Sequence, residues 1–243
     1  MSSHNKIAAL LGIEILKNRH RPGEKLPPEP DLIRRFRVSR TVIREVIKTL
    51  AAKGFVVSRT RVGTCVRDPV HWNFFDADVL RWRVQIGLDD EFMGSLTEIR
   101  RALEPAAAAL AAQRRTHLDV AQLRRHISDM ACSGQSRKSF AEADLAFHLA
   151  VGRASGNPMV RSAGGVIEAA LVASFTYSSP VDSARFQEDA VHAHAAIVDA
   201  IEAKDSPGAA DAMRKVIDAG VRRIRHNRKK HRARRSAARV RMP

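Results

Sequence analysis

Nowhere does this chain hold an apolar run approaching the ~20 residues that a helix needs to cross a bilayer. The opening MSSHNKIAAL also lacks the pattern of a secretory signal. Membrane insertion is therefore not expected, and the cytoplasm is the expected compartment. Cysteine is scarce: Cys65 and Cys132 stand far apart, form no ligand cluster and suit a reducing environment. Aromatics make up only 5% of the residues, with Tyr177 the single tyrosine. A hydrophobic content of 44% is still enough to bury a core and to exclude wholesale disorder. Alanine and arginine dominate instead, which favours helix. A phosphate loop, a nucleophile elbow and a second metal motif are missing too, which leaves a hydrolase little to work with.

What is present is charge, unevenly placed. The 243 residues suit two modest domains and carry a net +16. Residues 1–68 hold +9, residues 69–221 hold −4, and residues 222–243 hold +11 with no acidic residue at all. Two basic ends around a mildly acidic middle point to a polyanionic partner, DNA or RNA being the usual one.

The order of elements sharpens that expectation. Ile7, Leu10, Leu11 and Ile15, with Ile13 nearby, give residues 5–18 a helical apolar stripe. RPGEKLPPEP then breaks the helix, and Pro30-Asp31 can open a short second one over DLIRRF. Val38-Ser39 reads as a turn, with Ser39 as N-cap of a helix over residues 40–53. Val42, Ile43, Val46, Ile47 and Leu50 supply its buried face, and Gly54 ends it. FVVSRT and TCVRD read as two short strands joined through Arg61-Val62-Gly63. Helix, helix, turn, helix and hairpin make a winged helix-turn-helix, whose recognition helix enters the major groove. Arg40 and Arg44, four apart, share one face of that helix, and Arg59 and Arg61 sit on the hairpin.

Residues 69–92 collect Trp72, Phe74, Phe75, Leu80 and Trp82, and an inter-domain packing plug is expected there. Ligand stacking is the second reading. From Ser95 onward six helical segments and no strand pattern predict an all-α bundle. One of those segments ends at Gly134, and VRSAGGVIEAALVASFTYS reads as a single helix.

The stretch RPGEKLPPEPDLIRRFRVSRTVIREVIKTLAAKGFVVSRTRVGTCVRDP resembles the GntR family of bacterial regulators, across some fifty residues. TEIRRALEPAAAALAA, ADLAFHLAVGRASGNP and HAAIVDAIEAKD resemble helices of the ligand-sensing FCD domain of its FadR subfamily. HWNFFDADVLRW is similar to a segment of a sugar-acid regulator in that subfamily. The resemblance implies a mainly α protein: a winged helix-turn-helix over residues 1–68, a linker with short helices over 69–94, an FCD-like bundle over 95–226 and a basic tail over 227–243. Carried over by position, Ser39, Arg40, Thr41 and Arg44, with Thr60 and Arg61 at the wing tip, would contact DNA. Pro30 stands where many members place an arginine, so Arg34 or Arg35 is expected to take over a backbone contact.

Asp144 and His148 lie four apart, on one face of a helix, with ligand atoms suited to a divalent transition metal, zinc foremost. The resemblance implies that role and adds His194 as the next ligand. Val216 stands where a final histidine is expected, leaving three protein ligands, while His192 projects elsewhere on its helix. Without a metal the same groups can hydrogen-bond a sugar acid directly. Arg100 resembles the first-helix arginine of such domains and can grip a carboxylate through two parallel bonds. Glu104-Pro105 reads as structural, and Arg101 as a surface ion-pair residue. The expected function is an effector-controlled homodimeric repressor of an operator, released by a small carboxylate or sugar acid such as an aldonate. The rivals are a metal-dependent hydrolase built on Asp144, His148 and His194, and an effector-independent nucleic-acid binder. The tail is read as a mobile arm that strengthens non-specific DNA binding.

Overall fold

The structure is a computed structural model that describes residues 2–132, 136–177 and 179–240, with side chains described up to His226 except at 176, 177 and 182. The expected helix end at Gly134 lies outside the described residues, as do the side chains of the basic tail. Two compact units divide the chain, Met1–Leu88 and Asp89–Pro243.

The first unit is built from α1 (Ser3–Leu16), α2 (Glu29–Phe36), α3 (Arg40–Ala52), a hairpin of β1 (Val56–Arg59) and β2 (Gly63–Val66), and α4 (Ala77–Ile86). The strands pair antiparallel with Val56 opposite Val66 and Arg59 opposite Gly63. Leu11, Ile15, Leu32, Ile43, Val46, Leu50 and Phe55 form its core, each at most 1% exposed. At Gly12 the indole of Trp82 approaches so closely that a Cβ would meet it at 2.3 Å. At Gly54 the chain turns with φ +82, and a Cβ would lie 2.0 Å from the His71 carbonyl oxygen. Only glycine closes α3 there.

The aromatic residues after the hairpin join the core of this unit: Trp82 is part of it, and Trp72 and Phe74 pack against it, partly buried. Phe55 supplies the reason, since its ring stacks on Trp72 at 4.9 Å and meets Trp82 at 6.1 Å. Lys53, nearly buried, fastens the segment by reaching Asp76 at 2.7 Å and Asp78 at 2.9 Å.

The second unit is all-α: α5 (Asp90–Arg114), α6 (His117–Ala131), α7 (Arg137–Ala154), α8 (Pro158–Ser162), α9 (Gly164–Tyr177), α10 (Ala184–Glu202) and α11 (Ser206–Val240). Ala107, Ala108, Ala111 and Ala112 give α5 a small-residue face, filled from opposite by Leu123, Phe140, Phe147, Ile197 and Met213. Two helices start earlier than their apolar stripes because of their caps. Asp89 accepts from Phe92 N at 2.8 Å to open α5, and Thr116 and Asp119 form a reciprocal capping box on α6. The expected single helix over VRSAGGVIEAALVASFTYS is two, broken at Ala163. A Cβ at Gly164 would touch the Leu149 side chain at 3.0 Å, so the restart sits where α9 approaches α7 closely.

Candidate functional site

The first unit offers one strongly basic, exposed surface. Arg37 adopts φ 52 and turns the chain between α2 and α3, and the Ser39 hydroxyl accepts from Val42 N as N-cap. α3 buries Ile43, Val46 and Leu50, which leaves Arg40, Thr41, Arg44 and Lys48 on the solvent side. Arg40 and Arg44 both lean on Glu29, at 3.9 and 3.4 Å, while their side chains stay 66% and 61% exposed. Such long, solvated contacts contribute at most about 1 kcal/mol, so a phosphate or base edge can displace Glu29 cheaply. Thr60 and Arg61 occupy the exposed tip of the hairpin, with Arg61 at φ 62.

Arg34 and Arg35, the two candidates to serve the DNA backbone where Pro30 has no charge to offer, differ. Arg34 is 80% exposed and pairs with neighbouring Asp31. Arg35 instead makes two bonds to Glu14 on α1, at 2.5 and 3.0 Å, and so ties α2 to α1. That hydrogen bonding outweighs partial burial and holds the Glu14 carboxyl below its ordinary pKa.

The second unit holds a cavity floored by ionisable groups. α7 presents Asp144 and His148 one turn apart, and α10 presents His194; the three are 4%, 2% and 3% exposed. One ligand atom from each lies within 4.8 Å of the others, and among the described residues this is the one such group of three. His194 Nδ1 donates to the Ala190 carbonyl at 2.7 Å. In a neutral ring that leaves an Nε2 lone pair facing Asp144 Oδ1 at 3.0 Å, a conflict that a proton or a metal cation on Nε2 relieves. His148 Nε2 lies 3.8 Å from Asp144 Oδ2 in the same relation. Asp144 Oδ2, His148 Nε2 and His194 Nε2 are all buried without a hydrogen-bond partner. Buried polar atoms are rarely left so. A cation placed among them resolves the conflict, and one carboxylate oxygen with two imidazole nitrogens is a fitting donor set for zinc or a similar ion.

Behind this group stands a charged chain that sequence reasoning missed. Glu104, 2% exposed on α5, reaches His148 Nδ1 at 2.5 Å and pairs on its other side with Arg100. Burial disfavours its charge, but Arg100 and His148 prevail and bring its pKa to about 2. Burial likewise opposes the charge on Asp144, and His194, His148 and Arg100 overcome it, lowering its pKa. A carboxylate behind a histidine is the usual outer support of a metal site, since it orients the ring and raises its basicity. The signal was its spacing: Glu104 lies four residues from Arg100, hence on the same helical face.

Arg100 lines the cavity with Asp144, His148 and His194, and α11 adds Val216 and Arg223. Val216 thus stands at the cavity wall with an apolar side chain where a further ligand was expected. His192 is exposed, and Arg101 is a surface residue that pairs with Asp218 at 2.6 Å.

The comparisons with known proteins agree with both halves. Residues 4–66 match the gntR family of bacterial regulatory proteins, and residues 95–219 match the FCD domain. The chain is 32% identical over 225 residues to the galactonate operon transcriptional repressor of Escherichia coli (strain K12), covering 93% of this chain and 98% of the repressor. It is 33% identical to the HTH-type transcriptional regulator YieP of the same organism, over 87% of this chain and 90% of that protein. The Listeria monocytogenes regulator Lar shares the fold at a TM-score of 0.61 and 20% identity, covering 93% of this chain and 98% of that one. This chain belongs to the gntR family of bacterial regulatory proteins, as a DNA-binding transcriptional regulator with a winged helix-turn-helix and an FCD domain.

Proposed function

We propose that the chain is a homodimeric repressor that leaves its operator when the FCD cavity takes up a sugar acid of the aldonate class. Residues 1–68 would form the DNA-binding domain and residues 95–226 the sensor, with residues 69–94 linking them and residues 227–243 as a basic tail. The observation that carries the reading is the buried trio Asp144, His148 and His194 with three orphaned donor atoms at a cavity that Arg100 also lines. The similarity to a galactonate operon repressor supports the effector class.

Asp144, His148 and His194 would hold a divalent metal, zinc foremost. When bound, such an ion supplies Lewis-acid sites for oxygen ligands. Arg100 would meet the effector carboxylate, because Glu104 takes only part of its five N–H donors. The three protein ligands, with Val216 contributing none, leave room for effector oxygens. On the DNA side, Ser39, Arg40, Thr41 and Arg44 would meet the major groove, and Thr60 and Arg61 the neighbouring backbone or minor groove. Two such domains on a dimer would grip the half-sites of a palindrome. Release requires the effector to favour the DNA-incompetent arrangement, and a nearly complete switch needs a preference of about 10⁴-fold.

The experiment is an operator-binding titration of metal-loaded protein with D-galactonate and related aldonates. Release by an aldonate, and its loss in His148→Ala and His194→Ala, is expected; no effect of any sugar acid refutes the sensing half. For the DNA half, Arg44→Ala is expected to cost about 1–3 kcal/mol in operator binding, or roughly 5- to 150-fold. Unchanged affinity would refute the assigned surface.

A further inference from the structure

α11 runs from Ser206 to Val240. Among the described residues its last buried position is Ile217, yet the helix continues to Val240, about 34 Å further at 1.5 Å per residue. Residues 222–243 carry eleven Lys and Arg and no Asp or Glu. The acid just before them, Asp218, is already engaged by Arg101. Like charges three and four residues apart oppose a helix, so this extension gains stability from a polyanion laid against it.

The spacing gives the extension one distinct face. Arg225, Arg228, Arg232, Arg235 and Arg239 follow each other at intervals of three and four. At 3.6 residues per turn they fall within an arc of about 80°, along about 21 Å of helix. Lys230 and Arg234 occupy the opposite side of the circumference. Between Ile224 and Val240 the segment holds no large apolar residue, only Ala233, Ala237 and Ala238. An interfacial membrane helix needs an apolar face to bury, and none is available. A helix about 10–12 Å across does suit the major groove of duplex DNA, about 12 Å wide.

We propose that this arginine stripe on the last helix is a second DNA-binding element, one that grips backbone phosphates without reading sequence. The proposal rests on the chain being a DNA-binding regulator and is independent of what the FCD cavity binds.

The test compares two full-length double variants of equal charge, Arg232→Gln with Arg235→Gln and Lys230→Gln with Arg234→Gln. Glutamine is itself a good helix former, and circular dichroism checks that both remain folded. Binding to a duplex of scrambled sequence is measured between about 50 and 200 mM salt. The stripe variant is expected to flatten the slope of log Kobs against log salt by about 2, one for each phosphate no longer neutralised, and the other variant by less than half as much. Equal changes in both, or no change in either, would overturn the proposal. So would loss of binding to phosphatidylglycerol vesicles with DNA binding intact. Arg44→Ala measured in parallel on the operator reports on α3 alone, so a failure of that surface is distinguishable from a failure of the stripe.

Discussion

Glu104 shows how much one buried charge can organise. It neutralises Arg100 and touches the back of His148, so three ionised or polar groups share one low-dielectric site. Removing one member of a buried pair strands the other, which costs about 3–5 kcal/mol. Glu104→Gln keeps the size and discards the charge. We expect it to lower zinc affinity about 10- to 100-fold in a chelator competition titration, the usual range for removal of an outer-shell partner. The melting temperature of the metal-free protein should fall as well, because Arg100 loses its counter-charge. Zinc affinity equal to that of the parent protein would show that Glu104 serves Arg100 alone. The sequence presented Asp144 and His148 plainly through their four-residue spacing. Glu104 was overlooked despite its four-residue spacing from Arg100, since its neighbour Pro105 suggested a role in helix shape and acidic residues on helices are mostly solvated.

At the scale of elements, the helix-turn-helix is held together by a charge contact as well as an apolar core. Arg35 on α2 grips Glu14 on α1, while Leu32 and Ile43 pack below. Arg35 hydrogen bonding depresses the Glu14 pKa from its ordinary 4.5 in the folded state. A depressed carboxylate contributes stability that is present above the unfolded pKa and lost as pH falls through the folded one. Denaturant unfolding of the first unit should therefore show stability declining below about pH 4.5, with a shallower decline in Glu14→Gln. Identical pH profiles would remove this contact from the account. Element boundaries were less legible than element types. α5 and α6 begin ahead of their apolar stripes because Asp89 and Thr116 cap them, and caps lie outside the hydrophobic pattern. The break between α8 and α9 leaves no mark on that pattern, because both sides read as apolar and helical.

Across the whole molecule, the chain divides into two compact units, and ligands of the second should act on its stability by mass action. Zinc at a hundred times its dissociation constant is worth about 2.7 kcal/mol to the state that binds it. Chelation is thus expected to lower the melting temperature by several degrees, and His194→Ala should abolish the zinc response without abolishing folding. A melting curve indifferent to zinc and chelator alike would leave the cavity to bind its effector through protein groups alone.

The sequence by itself determined the architecture: periodicity, turn residues and charge placement set out a winged helix-turn-helix, an all-α bundle and two basic ends. Those signals are local, written within one or two helical turns. The tertiary structure decided what depends on elements far apart in the chain. It brought α5 against α7 and α10, so that Arg100 and Glu104 join Asp144, His148 and His194 in one buried site. It assigned Trp72 and Trp82 to the core around Phe55, and it paired Arg35 with Glu14. Burial and pairing are properties of the packed chain, and no window of sequence contains them.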